Sequence, residues 1–261
     1  MKLTEDNYFS PEAQKTYWGH TQFLDFMKCE ARGLALVTGE FEQEMTDALL
    51  VGQYVDSHFS GTKNSFISHH PEMFKRDGTL KSVYLGAERA IERAERDDMF
   101  MKYISGAPQE IMTGKVWGVD WKIKIDSYHE SKAIVDLKCM KNFDAMYVDG
   151  LGRVSFVEAW GYDYQGIIYQ KVVEAVTGEK LPFIIAGVTK QDPSDIGLFN
   201  VPQYMMDSAG KVIENMIDRF DAIKKGDVEP KRCGKCDYCR ATKVVDSVVD
   251  VQQEGENDGR N

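Results

Sequence analysis

In the run Ala133-Ile134-Val135-Asp136-Leu137-Lys138-Cys139, an aspartate and a lysine share one face of an otherwise apolar strand pattern. Ten residues earlier, another strand pattern ends in Asp126: Val119, Trp121, Ile123 and Ile125 alternate with Asp120, Lys122, Lys124 and Asp126. Charges in apolar strands are costly to desolvate unless they are paired or bind a metal. Two carboxylates meeting across a hairpin repel, and a divalent cation relieves that repulsion. Asp126 and Asp136 would offer the hard oxygen ligands that Mg2+ prefers, while Lys138 could orient or help deprotonate a water and offset developing negative charge. That chemistry suits phosphodiester hydrolysis. Taken alone, the pattern is more often a structural salt bridge between the lysine and one aspartate.

A second constellation lies near the C-terminus. Cys233, Cys236 and Cys239 fall within seven residues, flanked by Lys231, Arg232, Lys235 and Arg240, and the other two cysteines are Cys29 and Cys139. Such usage is poor material for a disulfide framework and points to metal binding in a reducing compartment. Three thiolates at this spacing lack a nearby fourth ligand, which makes Cys29 the natural candidate. Cys139 reads as a small core residue.

The elements that must position these groups follow from periodicity. Thr21 is expected to cap a helix over 21–37 that carries Cys29 and Arg32, with Phe23, Phe26, Met27, Glu30 and Leu34 at helical spacing. A second helix over 41–59 has a seam of Met45, Leu49, Gly52, Asp56 and Phe59, which places Asp56 on the inward stripe; His58, His69 and His70 read as peripheral. Residues 81–101 read as a charged, solvated helix. Residues 109–112 form a short strand leading to a turn at Gly114, and its Glu110 is a third acid that a neighbouring strand could bring beside Asp126. A helix over 158–176 has an apolar stripe of Trp160, Tyr164, Ile167, Ile168, Val172 and Ala175, and a second line of Glu158, Tyr162, Gln165 and Tyr169. Residues 182–188, apolar on both faces, read as a central strand, 195–201 pair beside it, and 204–225 form an amphipathic helix. The expected fold class is α/β (α+β), a central mixed sheet flanked by helices.

The chain has 261 residues, enough for a substantial core, with no repeat and no membrane-length apolar run. The polar, acidic start has no signal-peptide core, so a cytoplasmic protein without a membrane partner is expected. The net charge of −10 counts against phosphate affinity, although residues 246–261 contribute −4 of it. We expect one domain over 1–240 and a disordered acidic tail over 241–261.

With these elements in order, the chain resembles the PD-(D/E)xK nuclease superfamily in its RecB-like branch. Within it, the likeness is to the phage and prophage recombination exonucleases of the RecE and lambda exonuclease group, over roughly residues 17–240. The resemblance implies a restriction-endonuclease-like core. It casts Asp126 as the first motif aspartate, Asp136-Leu137-Lys138 as the (D/E)xK element with the Leu137 carbonyl as a further ligand, and Glu110 as the acid of the preceding strand. Gln165 and Tyr169 match the QxxxY helix that faces the site and the DNA backbone. Where family members carry a histidine four residues after a helix glycine, this chain has Asp56, still a possible metal ligand. Thr21 and Arg32 lie where relatives hold a terminal phosphate. Some RecB-like nucleases resemble the cysteine arrangement too, which implies a [4Fe-4S] cluster on Cys29, Cys233, Cys236 and Cys239, with Zn2+ as the alternative and unligated thiols as the plain reading.

The implied activity is a Mg2+- or Mn2+-dependent deoxyribonuclease, a 5'-to-3' exonuclease acting on double-stranded DNA ends and leaving 3' single strands. Also implied are a ring-shaped homo-oligomer and a single-strand annealing protein as partner in phage DNA recombination. Two alternatives stand beside it: a structure-specific DNA endonuclease of the same fold, and a catalytically degenerate DNA-binding or assembly module.

Overall fold

The computed structural model describes residues 1–248. Its centre is a five-stranded mixed sheet in the order β1-β2-β3-β6-β7, built from β1 (Ala107–Val116), β2 (Val119–His129), β3 (Ala133–Met140), β6 (Phe183–Thr189) and β7 (Ile196–Asn200). β4 (Met146–Val148) and β5 (Gly152–Val154) form a separate small hairpin. The β1-β2, β2-β3 and β6-β7 pairs are antiparallel, whereas β3 and β6 run parallel. A parallel pair needs a crossover, and α8 (Phe156–Trp160) and α9 (Tyr162–Thr177) supply it. β6 is almost wholly buried, as a strand covered on both faces must be.

Each face of the sheet carries its own core. On one, Trp121, Ile123, Ile125 and Phe183 pack against Ile168 and Val172 of α9, Ile213 and Phe220 of α10 (Gln203–Lys225), and Phe23 and Phe26 of α2 (His20–Lys28). On the other, Val135, Leu137, Ala186 and Val188 meet α4 (Asp47–Phe59), α6 (Ser82–Glu95) and α7 (Asp98–Ile104). Each fully buried large side chain contributes roughly 2–3 kcal/mol, so these two faces hold the sheet rigid beneath whatever its edges carry. The remaining helices are α1 (Pro11–Thr16), α3 (Glu30–Thr38), α5 (Lys63–His69) and α11 (Asp237–Ala241). Among the described residues, no helix is long and apolar enough to cross a membrane.

Several expected elements are repositioned for identifiable reasons. The helix expected over 21–37 is two helices, because Cys29 between α2 and α3 is extended (φ −166°, ψ 114°); Gly19, not Thr21, is the N-cap. α4 begins at Asp47, not at 41, since the Thr46 side chain accepts from the Leu49 N–H and caps it. Its buried face is Leu50, Val51, Tyr54 and Val55, while Met45 and Leu49 of the expected seam are exposed. The helix expected over 81–101 breaks where Asp97 caps α7. The turn expected at Gly114 lies instead at Trp117-Gly118, both with positive φ (48° and 79°), as a tight hairpin turn requires. The helix expected over 158–176 is divided at Gly161, and Trp160 is exposed rather than in the core. Of the expected acidic tail, 242–248 follow α11 without regular structure, and 249–261 lie outside the described residues.

Candidate active site

The site is built on a fork between β2 and β3. Their pairing runs from His129↔Ala133 to Ser127↔Val135 and stops there, and the next residue on each strand is an acid, Asp126 and Asp136. Beyond this point β3 stays paired with β6, Asp136 opposite Ile185 and Lys138 opposite Gly187. β2 is instead bonded to the segment before α2: the Trp18 N–H donates to the Asp120 carbonyl and the Lys122 N–H to the Trp18 carbonyl, each at 2.8 Å. The Leu137 N–H donates to Asp126 Oδ2 at 2.9 Å, which locks that carboxylate in the crotch of the fork.

Asp126 and Asp136 both open onto a cavity of about 320 Å3 that Lys138, Gln165 and Tyr169 also line. Asp136 is 1 % exposed. Its Oδ1 accepts from Gln165 Nε2 at 2.5 Å, and its Oδ2 lies 2.6 Å from Lys138 Nζ as an ion pair, yet without hydrogen-bond geometry to any donor. Gln165 Oε1 is likewise buried without a partner. The Tyr169 hydroxyl donates to the Lys124 carbonyl, which ties α9 to β2. Thr21, in the first turn of α2, lines the same cavity.

The electrostatics are those of a site with too much negative charge. Burial, then repulsion from Asp136 and Asp56, holds the Asp126 carboxyl well above the usual carboxylate range. Burial and Asp136 likewise raise Asp56, against the pull of Lys124 and Lys138. Burial works against the Lys138 ammonium, but Asp136, Tyr162 and Asp126 outweigh it and keep the lysine charged. Asp126 and Asp56, both resisting ionisation, gathered with the buried Asp136 around one ammonium, fit the donor set of a hard divalent cation. Asp126, Asp136 and the Leu137 carbonyl could hold it.

The other expected residues are placed as follows. Asp56 lies across a narrow crevice from Asp126 and accepts from Gln109 Nε2 at 3.3 Å, so α4 does deliver this acid to the site's far side. Glu110 sits opposite Ile125 and lines neither cavity nor crevice; its neighbour Gln109, at a left-handed φ of 53°, reaches in instead. Arg32 is not brought to the cavity. It pairs with Asp237 (2.9 Å) and Asp25 (3.3 Å) beside the cysteines. There, Cys29, Cys233, Cys236 and Cys239 converge.

Further residues, without an expected role in the sequence, complete the lining. Tyr8 and Phe9 come from an N-terminal strap whose Tyr8 carbonyl accepts from the Lys122 ammonium. The alternation of β2 already put Lys122 and Lys124 on the face of Asp126, but nothing local shows that Lys122 is buried, with its pKa lowered to about 8 by desolvation. His20 donates through Nε2 to the Gly161 carbonyl at 3.0 Å. Burial, then the Lys138 charge, lowers its pKa to about 3, so the ring is neutral and its Nε2 must carry the proton. Tyr162 lies under Lys138, its ring centroid 5.1 Å from Nζ.

A family described as "PDDEXK-like domain of unknown function (DUF3799)" matches residues 19–242. A solved structure from Eubacterium rectale, described as "Putative exonuclease", is similar over 98 % of this chain and 99 % of its own, with 43 % identity and a TM-score of 0.95. Among curated proteins, none matches.

Proposed function

The chain belongs to this family of PDDEXK-like domains, and from that premise we propose that it is a Mg2+-dependent DNA exonuclease acting 5' to 3' on double-stranded ends. The observation that carries the reading is the fork: Asp126 and Asp136, each one residue past the last β2-β3 rung, open onto one cavity with Lys138. The description of the Eubacterium rectale structure supports an exonuclease. The polarity, the 3' single-stranded product, a ring-shaped homo-oligomer, an annealing-protein partner in phage recombination and a cytoplasmic setting rest on the resemblance to the RecE and lambda exonuclease group.

A divalent cation held by Asp126, Asp136 and the Leu137 carbonyl would supply Lewis acidity to the scissile phosphate and lower the pKa of an attacking water. Asp136 is oriented by the Gln165 amide and Asp126 by the Leu137 N–H, so neither carboxylate must reorganise when substrate arrives. Lys138, held protonated by its acidic neighbours, serves as a fixed positive charge for the phosphate oxygens and as a donor that orients water. The neutral His20 adds no charge to a phosphate site.

The test uses a linear duplex labelled at one 5' end beside a covalently closed circle, each with and without Mg2+. Labelled mononucleotide release from the linear duplex alone, only with Mg2+ and lost in Lys138→Ala, is expected. Cutting of the closed circle would make the protein an endonuclease, and binding without release in Mg2+ or Mn2+ would make it a DNA-binding module.

A further inference from the structure

Away from the proposed nuclease site, the four cysteines converge closely enough to share one ion, and their spacing bears on which ion that is. Cys29 and Cys239 are buried, and all four sulfur atoms lie within 4.8 Å of one another. Cys29 Sγ is 3.6 Å from Cys239 Sγ, and Cys233 Sγ is 3.9 Å from it, far outside a disulfide bond. A [4Fe-4S] cubane binds each thiolate to a different iron, on bonds that radiate from the cluster's centre. That spreads the four sulfurs to about 6 Å apart, which this set does not reach. A single tetrahedral ion with metal–sulfur bonds of about 2.3 Å places its ligands about 3.8 Å apart, which this set does. The cubane implied by the resemblance therefore does not fit these residues.

We propose that Cys29, Cys233, Cys236 and Cys239 hold one zinc ion, and that this ion fastens the end of the chain to the break between α2 and α3. Tetrahedral thiolate coordination without an open position is the mark of a structural zinc site. The thiols are already oriented by backbone donors: the Cys236 N–H points to Cys233 Sγ at 3.3 Å and the Cys239 N–H to Cys236 Sγ at 3.4 Å. Gly234, with φ of 74°, makes the turn between Cys233 and Cys236. The break in the helix now has a cause, because the extended backbone of Cys29 turns its thiol out of the α2-α3 line towards the C-terminal turn. Around it, Arg219 grips Glu30 with two bonds of 2.7 Å, the Glu30 carboxylate accepts from the Lys231 N–H at 2.7 Å, and the Ala31 N–H donates to the Lys231 carbonyl at 3.1 Å. The docked segments thus leave the four sulfurs little freedom to spread around a larger cluster.

The test is metal and sulfide analysis of the whole chain, isolated without oxygen from cells supplied with both iron and zinc. One zinc per chain, no acid-labile sulfide and no visible charge-transfer band are expected. Iron in the site, with or without sulfide, or a metal-free protein with full thermal stability, would overturn the proposal. Because Cys29→Ser removes a buried ligand, the exposed Cys233→Ser serves as the second variant. It should lose or weaken zinc retention and lower the melting temperature while the secondary-structure circular dichroism stays unchanged. Unchanged zinc content in Cys233→Ser would equally refute it. Neither readout depends on nuclease activity, so this inference and the nuclease reading can fail separately.

Discussion

Replacing Lys138 with alanine separates the two cations that compete for Asp136. Without a divalent ion, the 1 %-exposed carboxylate has the Lys138 ammonium at 2.6 Å and the Gln165 amide at 2.5 Å as its attractive neighbours, while Asp126 and Asp56 repel it. Removing one partner of a buried pair costs about 3–5 kcal/mol. Because the Lys138 side chain is 23 % exposed and water can enter the vacated space, the lower figure, about 3 kcal/mol, applies. In a chain of this size that lowers the melting temperature by about 6–12 °C. Mg2+ should return much of it, since a ligand at one hundred times its Kd stabilises the folded state by about 2.7 kcal/mol. The variant's cation no longer shares Asp136 with a neighbouring ammonium that repels it, so its Mg2+-induced shift should exceed that of the wild type, as linkage requires. Calorimetry of both proteins in EDTA and in Mg2+ checks this. Lys138→Met, which keeps apolar contact with the Tyr162 ring, isolates the charge. Equal melting in EDTA, or equal Mg2+ shifts, would mean that Lys138 and the cation do not act on the same carboxylate.

Asp163, in the first turn of α9, has a buried carboxylate oxygen without a partner, and burial pushes its pKa up to about 6. A folded-state pKa above the unfolded one penalises the fold only once the group ionises. Asp163→Asn should therefore raise stability by up to about 3 kcal/mol at pH 8, a gain that fades as pH falls below the unfolded pKa of about 4 and is gone near pH 3; an equal gain at both ends would show that ionisation is not the cause. Gly161→Ala should destabilise by about 2–3 kcal/mol, since a Cβ there combines a φ of 70° with a 2.9 Å approach to Leu24. Gly178→Ala, at φ 78° with open space around it, should cost only about 1 kcal/mol in the same denaturant titration, and equal losses would remove the steric part of the argument.

What could be read in advance was whatever depends on alternation along a single strand. Asp126 and Asp136 announced themselves because each interrupts or ends an apolar pattern, and residues 182–188 read as central because no polar face breaks them. The helix of Gln165 and Tyr169 was legible too, although Gly161 divides it and turns Trp160 outward. Features set by contacts distant in sequence were not legible. Cys29 breaks a good helical pattern because sulfurs some two hundred residues later lie beside it. The buried face of α4 could not be chosen without knowing that Thr46 starts the helix and that β3 lies beneath it. Gln109 replaces Glu110 at the site's edge through a left-handed backbone that neither residue type announces. His20 and Tyr8 reach the cavity by chain paths that carry no local signal.

Asp126 and Asp136 should share one hard cation. Mn2+ soaked into crystals of the protein would reveal it through anomalous scattering. A peak about 2.2 Å from a carboxylate oxygen of each aspartate is expected, absent in Asp126→Asn crystals. Strong Mn2+ peaks elsewhere, with none bridging these two side chains, would contradict it.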